Sequence, residues 1–178
     1  MTMDGTLQKI DGRNVLRFER RLAHPPEKVW RALTEPAHVA EWFPATPEWE
    51  LTPGAKIRFG MRDEAPVEGW DPAQFEGEVT AVDPPRLLEY TWAQEVLRWE
   101  LIPDGDGTVL VFVNTFDDLG KAARDAAGWD VCLQVLESVL GGQSVPWDDQ
   151  MKRWDELFPG YVEQLGPEAS VEGKPDAV

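Results

Sequence analysis

The stretch from Gln74 to Leu140 constrains this chain most. Four strand-like segments, QFEGEVTAV, RLLEYTW, VLRWELI and TVLVFVNTF, follow one another with only DPP, AQE and PDGDG between them. Linkers this short cannot carry the crossover that parallel neighbours need, so the segments form an antiparallel meander. AAGWDVCLQVLESVL follows, with Trp129, Cys132, Leu133, Leu136, Val139 and Leu140 on one face at 3.6 residues per turn. A meander with one apolar face needs a cover, and this helix is long enough to supply it.

The remaining segments fit around that core. Residues 1–12 read as a flexible arm. In NVLRFERRL, Leu16, Phe18, Arg20 and Leu22 share one face of a strand. HPPEKVWRALT and the segment from Pro36 to Trp42 read as two short helices, each opened by proline. PEWELT and AKIRFGM flank a Pro53–Gly54 turn as a hairpin, and RDEAPVEGWDP, Arg62 to Pro72, reads as a polar loop. The long helix runs from Gly120 to Gly142, capped by Asp117 or Asp118 and closed by Gly141–Gly142. The expected fold is therefore α+β: a seven-stranded curved antiparallel sheet wrapped around a long C-terminal helix, with two short helices between the first two strands. The domain spans 13–143. Residues 144–166 form an accessory helix, with Trp147, Met151, Trp154, Phe158, Tyr161 and Leu165 three or four apart and Pro159 expected to break or kink it. Docking on the domain is the favoured role for this helix; a homodimer contact through 147–165 is the alternative. Residues 167–178 are expected to be a disordered tail.

The 178 residues allow a full core, and a single cysteine, Cys132, rules out an internal disulfide. A formal charge of −16 argues against a nucleic-acid partner, which rewards clustered Lys and Arg. The start lacks a signal-peptide core, and the longest apolar run, Val109 to Val113, is strand-sized. A soluble cytoplasmic protein without membrane insertion is the expectation. Nine tryptophans are unusual, since each needs a large apolar surface to lie against.

FERRLAHPPEKVWRALTEP, the Trp42–Phe43 pair, PGAKIRF, EGEVTAVDPPRLLEYTW and AAGWDVCLQVLESVL, in that order, resemble the START-like helix-grip (SRPBCC) superfamily. More narrowly they are similar to the family named after the activator of the heat-shock-protein-ninety ATPase. The resemblance covers Asn14 to Gly142 and implies a space between sheet and helix, and neighbouring first and last strands. Two positions depart from that pattern: Asn114 and Asp130 stand where histidine is frequent. Fold likeness alone assigns no activity, because the superfamily hosts binders, cyclases and regulators.

Strand parity and helix phase then nominate a lining: Phe18, Phe59, Phe75, Trp99, Phe112, Phe116, Trp129 and Leu133, with Arg20, Asn114 and Asp125 as the inward polar groups. This set suits either a small-molecule cavity or an ordinary filled core. Burying a polar group without a partner costs about 1–3 kcal/mol, so Arg20, Asn114 and Asp125 are expected to meet as a cluster orienting a ligand, or else Arg20 forms a structural pair with an aspartate. On the cluster reading, Arg20→Met abolishes ligand binding without unfolding the chain.

His24 and His38 lie far apart with no ligand spacing, so neither a metal nor another cofactor is expected. Cys132 reads as structural, and no nucleophile–base pair appears. The leading functional expectation is non-catalytic binding of a hydrophobic or amphipathic small molecule. The alternatives are an enzyme of the cyclase, dehydratase or hydrolase kind, and a co-chaperone, for which the chain has no room for a second, amino-terminal domain.

Overall fold

A computed structural model of the chain describes residues 3–61 and 75–173. In chain order these form β1 (Thr6–Ile10), β2 (Arg13–Leu22), α1 (Pro26–Thr34), α2 (Pro36–Trp42), β3 (Ala45–Glu48), β4 (Lys56–Met61), β5 (Gly77–Asp83), β6 (Leu87–Trp92), β7 (Glu95–Asp104), β8 (Gly107–Phe116), α3 (Ala122–Leu140) and α4 (Trp147–Leu165). The polar loop expected at Arg62–Pro72 lies outside the described residues.

The strands make one antiparallel sheet in the order β1-β2-β8-β7-β6-β5-β4-β3. β2 and β8 are neighbours, with Phe18 opposite Phe112 and Arg20 opposite Leu110. The sheet has eight strands where seven were expected, because residues 6–10 are not a loose arm. They pair with β2 from Thr6↔Arg17 to Ile10↔Arg13. TLQKI hides from a period-two search because it has no buried apolar face, and backbone ladder bonds hold it as an edge strand. β3 likewise starts earlier than PEWELT suggests, pairing Ala45↔Met61 to Glu48↔Arg58.

Gly77 enables one close approach. A Cβ there would lie 2.1 Å from the Thr91 carbonyl oxygen, so β5 and β6 pack at that point only because the residue has no side chain.

α3 lies across the sheet, as its apolar stripe predicts. Leu133, Leu136 and Leu140 are buried along with Trp129. Its other side is buried too: Ala127, Val131 and Val135, pointing away from the sheet by helical phase, are covered. α4 packs there, burying Trp154 and Tyr161 and setting the Trp154 indole N–H 3.3 Å from the Arg124 carbonyl. α4 runs unbroken through Pro159. Before α3, Asp118 accepts from Gly120 N in a 3-10 turn, Leu119–Lys121. At its other end Lys28 of α1 donates to the Leu140 carbonyl at 2.7 Å, supplying the positive charge a helix C-terminus favours. Beyond α4, Pro167–Ala169 form a second 3-10 turn, and Glu172 N donates to Gly120 O at 3.0 Å. Residues 167–173 are thus docked, contrary to the disordered tail expected there. Among the described residues no helix is long and apolar enough to cross a membrane.

Candidate functional site

Rings occupy the region between α3 and the sheet. Trp99 of β7 stacks on Phe112 of β8 at 4.0 Å between centroids, and Trp42 meets Trp99 edge-on at 5.3 Å. Trp129 of α3 stands over Phe112 at 4.9 Å and beside Phe43 at 5.8 Å. From Phe43 the contacts continue outward to Trp92 at 5.0 Å, and from Trp92 to Phe59 at 4.7 Å and Phe75 at 5.3 Å. Trp99, Phe112, Phe43 and Phe59 are buried, while Trp92 and Phe75 are half-buried. The aromatic residues therefore form a continuous path from the end of β6 to the centre of the sheet. Two shallow hollows, of about 330 and about 370 Å³, are bordered by Arg86, Arg98 and Glu100 and by Lys56, Glu78 and Thr91 respectively; neither lies beneath α3.

A polar network borders that path. The Trp129 indole N–H donates to Asn114 Oδ1 at 3.2 Å, and Asn114 Nδ2 donates to Glu95 Oε2 at 2.8 Å. Glu95 also receives Lys121, whose ammonium lies 3.5 Å from Asp125 Oδ2 and 5.6 Å from the centre of the Phe116 ring. Arg124 donates to Asp125 Oδ1 at 2.8 Å and pairs with Glu172. Burial pushes the Asp125 carboxyl above its ordinary range, against the pull of Arg124 and Lys121. Burial alone would lower the Lys121 ammonium, but the bond to Glu95 and the nearby carboxylates outweigh it and hold that group above its usual value. A lysine so held is a permanent cation, unsuited to act as a base or amine nucleophile near neutral pH.

The structure does not bring Arg20 and Asn114 together. They lie four residues apart along the β2–β8 pair, since Arg20 faces Leu110 and Asn114 faces Leu16. Arg20 instead reaches Asp130 Oδ1 at 2.9 Å, Asp4 Oδ2 at 2.8 Å and Glu137 Oε1 at 3.5 Å, over the ring of Phe18. The other Asp130 oxygen accepts from the Tyr161 hydroxyl of α4 at 2.6 Å, and that hydroxyl accepts from Gly5 N at 3.1 Å. Burial, then the bond to Asp130, pushes the Tyr161 hydroxyl well above its ordinary range, so it stays a donor. The arginine–aspartate pair thus forms with Asp130 and not Asp125 as partner. It joins the segment just before β1 to β2, α3 and α4.

Among the other nominated residues, Phe18 stacks on Phe112 at 6.1 Å and Leu133 is a buried residue of α3. Parity and phase did not single out Glu95, Lys121, Tyr90 or Trp92, and they placed Tyr161 on the apolar stripe of α4 without its partner. Glu95 was findable, because it shares parity with Leu97 and Trp99; the bond of Tyr161 to Asp130 was not, because the two lie 31 residues apart on different helices. Cys132 is half-buried. Among the described residues no group of three or more His, Cys, Asp or Glu could hold a metal ion.

An antiparallel sheet closing on a long helix, with two short helices after the first long strand, defines the START-like helix-grip class. Within it, the profile described as Activator of Hsp90 ATPase homolog 1-like protein matches residues 23–141, more than half the chain. The chain belongs to that family. Solved structures agree on the fold. CalU16 from Micromonospora echinospora is 19% identical with a TM-score of 0.67, covering 93% of this chain and 99% of that one. A conserved protein of unknown function from Enterococcus faecalis is 22% identical with a TM-score of 0.71, covering 95% and 92%. A protein from Mesorhizobium loti is 26% identical with a TM-score of 0.62, covering 74% and 99%. No curated protein matches the sequence significantly.

Proposed function

We propose that this chain binds a hydrophobic or amphipathic small molecule between α3 and the sheet, without catalysing a reaction on it. The observation that carries the reading is the aromatic path from half-buried Phe75 and Trp92, through Phe43 and Trp129, to Trp99. Its rings touch, so a guest enters by displacing side chains, Trp92 and Phe75 first, and exchanges ring–ring contacts for ring–guest contacts. Apolar burial at about 25 cal/mol per Å² supplies the affinity. The Asn114–Glu95–Lys121 network at the border sets where a polar end lies. Arg20 has no part in binding on this reading, because its three carboxylate partners already engage it on the α4 side.

The test is a panel of amphipathic aromatic compounds, read by tryptophan emission and by thermal shift. A true ligand at a hundred times its Kd stabilises the fold by about 2.7 kcal/mol, and Trp92→Ala weakens it. If no compound moves either signal, the binding reading is lost. Stimulation of a chaperone ATPase, which the family's description brings to mind, is measured separately by mixing the purified chain with the chaperone.

A further inference from the structure

We infer that the Trp99 indole N–H and the Tyr90 hydroxyl form an anchor for a neutral carbonyl oxygen on an aromatic guest. The inference rests on the binding reading above and adds what the guest must carry. Trp99 is 1% exposed, and among the described residues its Nε1 is the one buried side-chain nitrogen or oxygen without a hydrogen-bond partner. An indole nitrogen can only donate, and a buried donor left unpaired costs stability that a phenylalanine in the same place would avoid. Asn114, Arg20 and Asp130, buried beneath or beside α3, each have hydrogen-bond or ion-pair partners. The rings that hold Trp99 are Phe112, Trp42 and Trp129; Trp42 donates to the Ala32 carbonyl and Trp129 to Asn114, so none of the three offers an acceptor.

Tyr90 supplies the second donor. The register of β6 and β7 pairs Leu88 with Trp99 and Tyr90 with Leu97, so Tyr90 and Trp99 are diagonal neighbours on the inward face. Burial pushes the Tyr90 hydroxyl well above its ordinary range, the nearby Trp99 indole offsets this only in part, and Cys132 on α3 adds to it; the hydroxyl stays protonated. The indole lies beside that hydroxyl and pulls its pKa down a little, yet makes no well-formed hydrogen bond to it.

One oxygen with two lone pairs satisfies both donors, which describes a ketone or quinone-like carbonyl. A carboxylate does not suit the place. The cations beside α3 are committed elsewhere, Lys121 to Glu95 and Arg20 to Asp130, and a buried anion without a counter-charge is heavily penalised. Phe43, Phe59 and Trp49 around Tyr90, at 5.2–6.4 Å, suit a flat ring system attached to that carbonyl.

The test compares 9-fluorenone with fluorene, which share a skeleton and differ by the carbonyl. Fluorenone is expected to bind the wild-type chain roughly tenfold more tightly. In nitrogen-15 spectra, which show nine tryptophan indole signals, that of Trp99 is expected to move downfield with fluorenone and not with fluorene. Trp99→Phe should bind both compounds equally. Should this variant fail to fold, the indole signal, assigned through its proximity to Phe112, and the Tyr90→Phe variant carry the comparison. Equal binding of the two compounds with an unmoved Trp99 signal overturns the anchor and leaves the binding reading standing. Failure of these two while other panel members bind also overturns it, and failure of the whole panel removes both.

Discussion

Arg20 and Asp130, 110 positions apart in sequence, meet at 2.9 Å beneath the junction of two helices, and the second oxygen of that aspartate holds the hydroxyl of Tyr161 at 2.6 Å. A residue nominated as a ligand contact is thereby a fastening for the accessory helix. Tyr161→Phe leaves one lobe of a buried carboxylate unsatisfied, and Gly5 N as well. A loss of about 1–3 kcal/mol in urea unfolding is expected, with faster amide exchange in α4 than in α3.

Arg20→Met is more severe, because three carboxylates lose their cation and Asp130 is buried. A loss of about 3 kcal/mol or more is expected. Binding of any panel compound should persist at temperatures where the variant is folded; abolished binding in a folded variant would return Arg20 to the ligand site.

Asp125 gives a pH signature opposite to that of most paired aspartates. Its folded pKa lies above its ordinary value of 3.8, chiefly through burial. The native state therefore holds the proton more tightly than the unfolded state, and the contribution of this group is fully present below the unfolded value and is lost as pH rises through the folded one. Asp125→Asn should gain stability relative to wild type between pH 3 and pH 7. A difference that stays flat or falls over that window contradicts the assignment.

Deleting residues 1–11 tests whether β1 matters. The deletion removes the β1–β2 ladder, the Asp4–Arg20 ion pair and the Gly5–Tyr161 bond. The melting temperature should fall by roughly ten degrees, and α4 should become the segment most open to proteolysis. An unchanged melting temperature would restore the loose arm.

Gly77→Ala places a Cβ 2.1 Å from the Thr91 carbonyl oxygen, a backbone atom that cannot swing aside. A loss of about 3 kcal/mol, at the upper end for overpacking, is expected from chemical denaturation.

The meander and its helical cover were legible because both periods are strong: two along β7 and β8, and 3.6 along α3. β1 was not, because an edge strand with no buried face carries no period to find. α3 showed a similar blind spot. Its phase marks the stripe beneath Trp129, but the burial of Ala127, Val131 and Val135 depends on α4 folding back, and that partnership is written in two separate segments. At the site, parity correctly turned Asn114 and Trp99 inward. It could not say that Arg20 and Asn114 lie four residues apart along neighbouring strands, because alternation fixes the face of a residue and not the register between strands. Glu95 could have been read from its parity but was absorbed into the turn formed by AQE.

Gly5 and Tyr161 are 156 positions apart, and beside them Gln164 donates to the Gly5 carbonyl at 2.8 Å and accepts from Met3 N at 2.9 Å. During synthesis, then, Met3 and Gly5 wait for residues at least 156 positions later before their polar groups find partners. The hairpin of the first two strands can form early, but Asp4 and Gly5 remain open until the final helix arrives. Closure of that seam therefore has to follow the synthesis of α4, and a nascent chain stalled before α4 would leave it open.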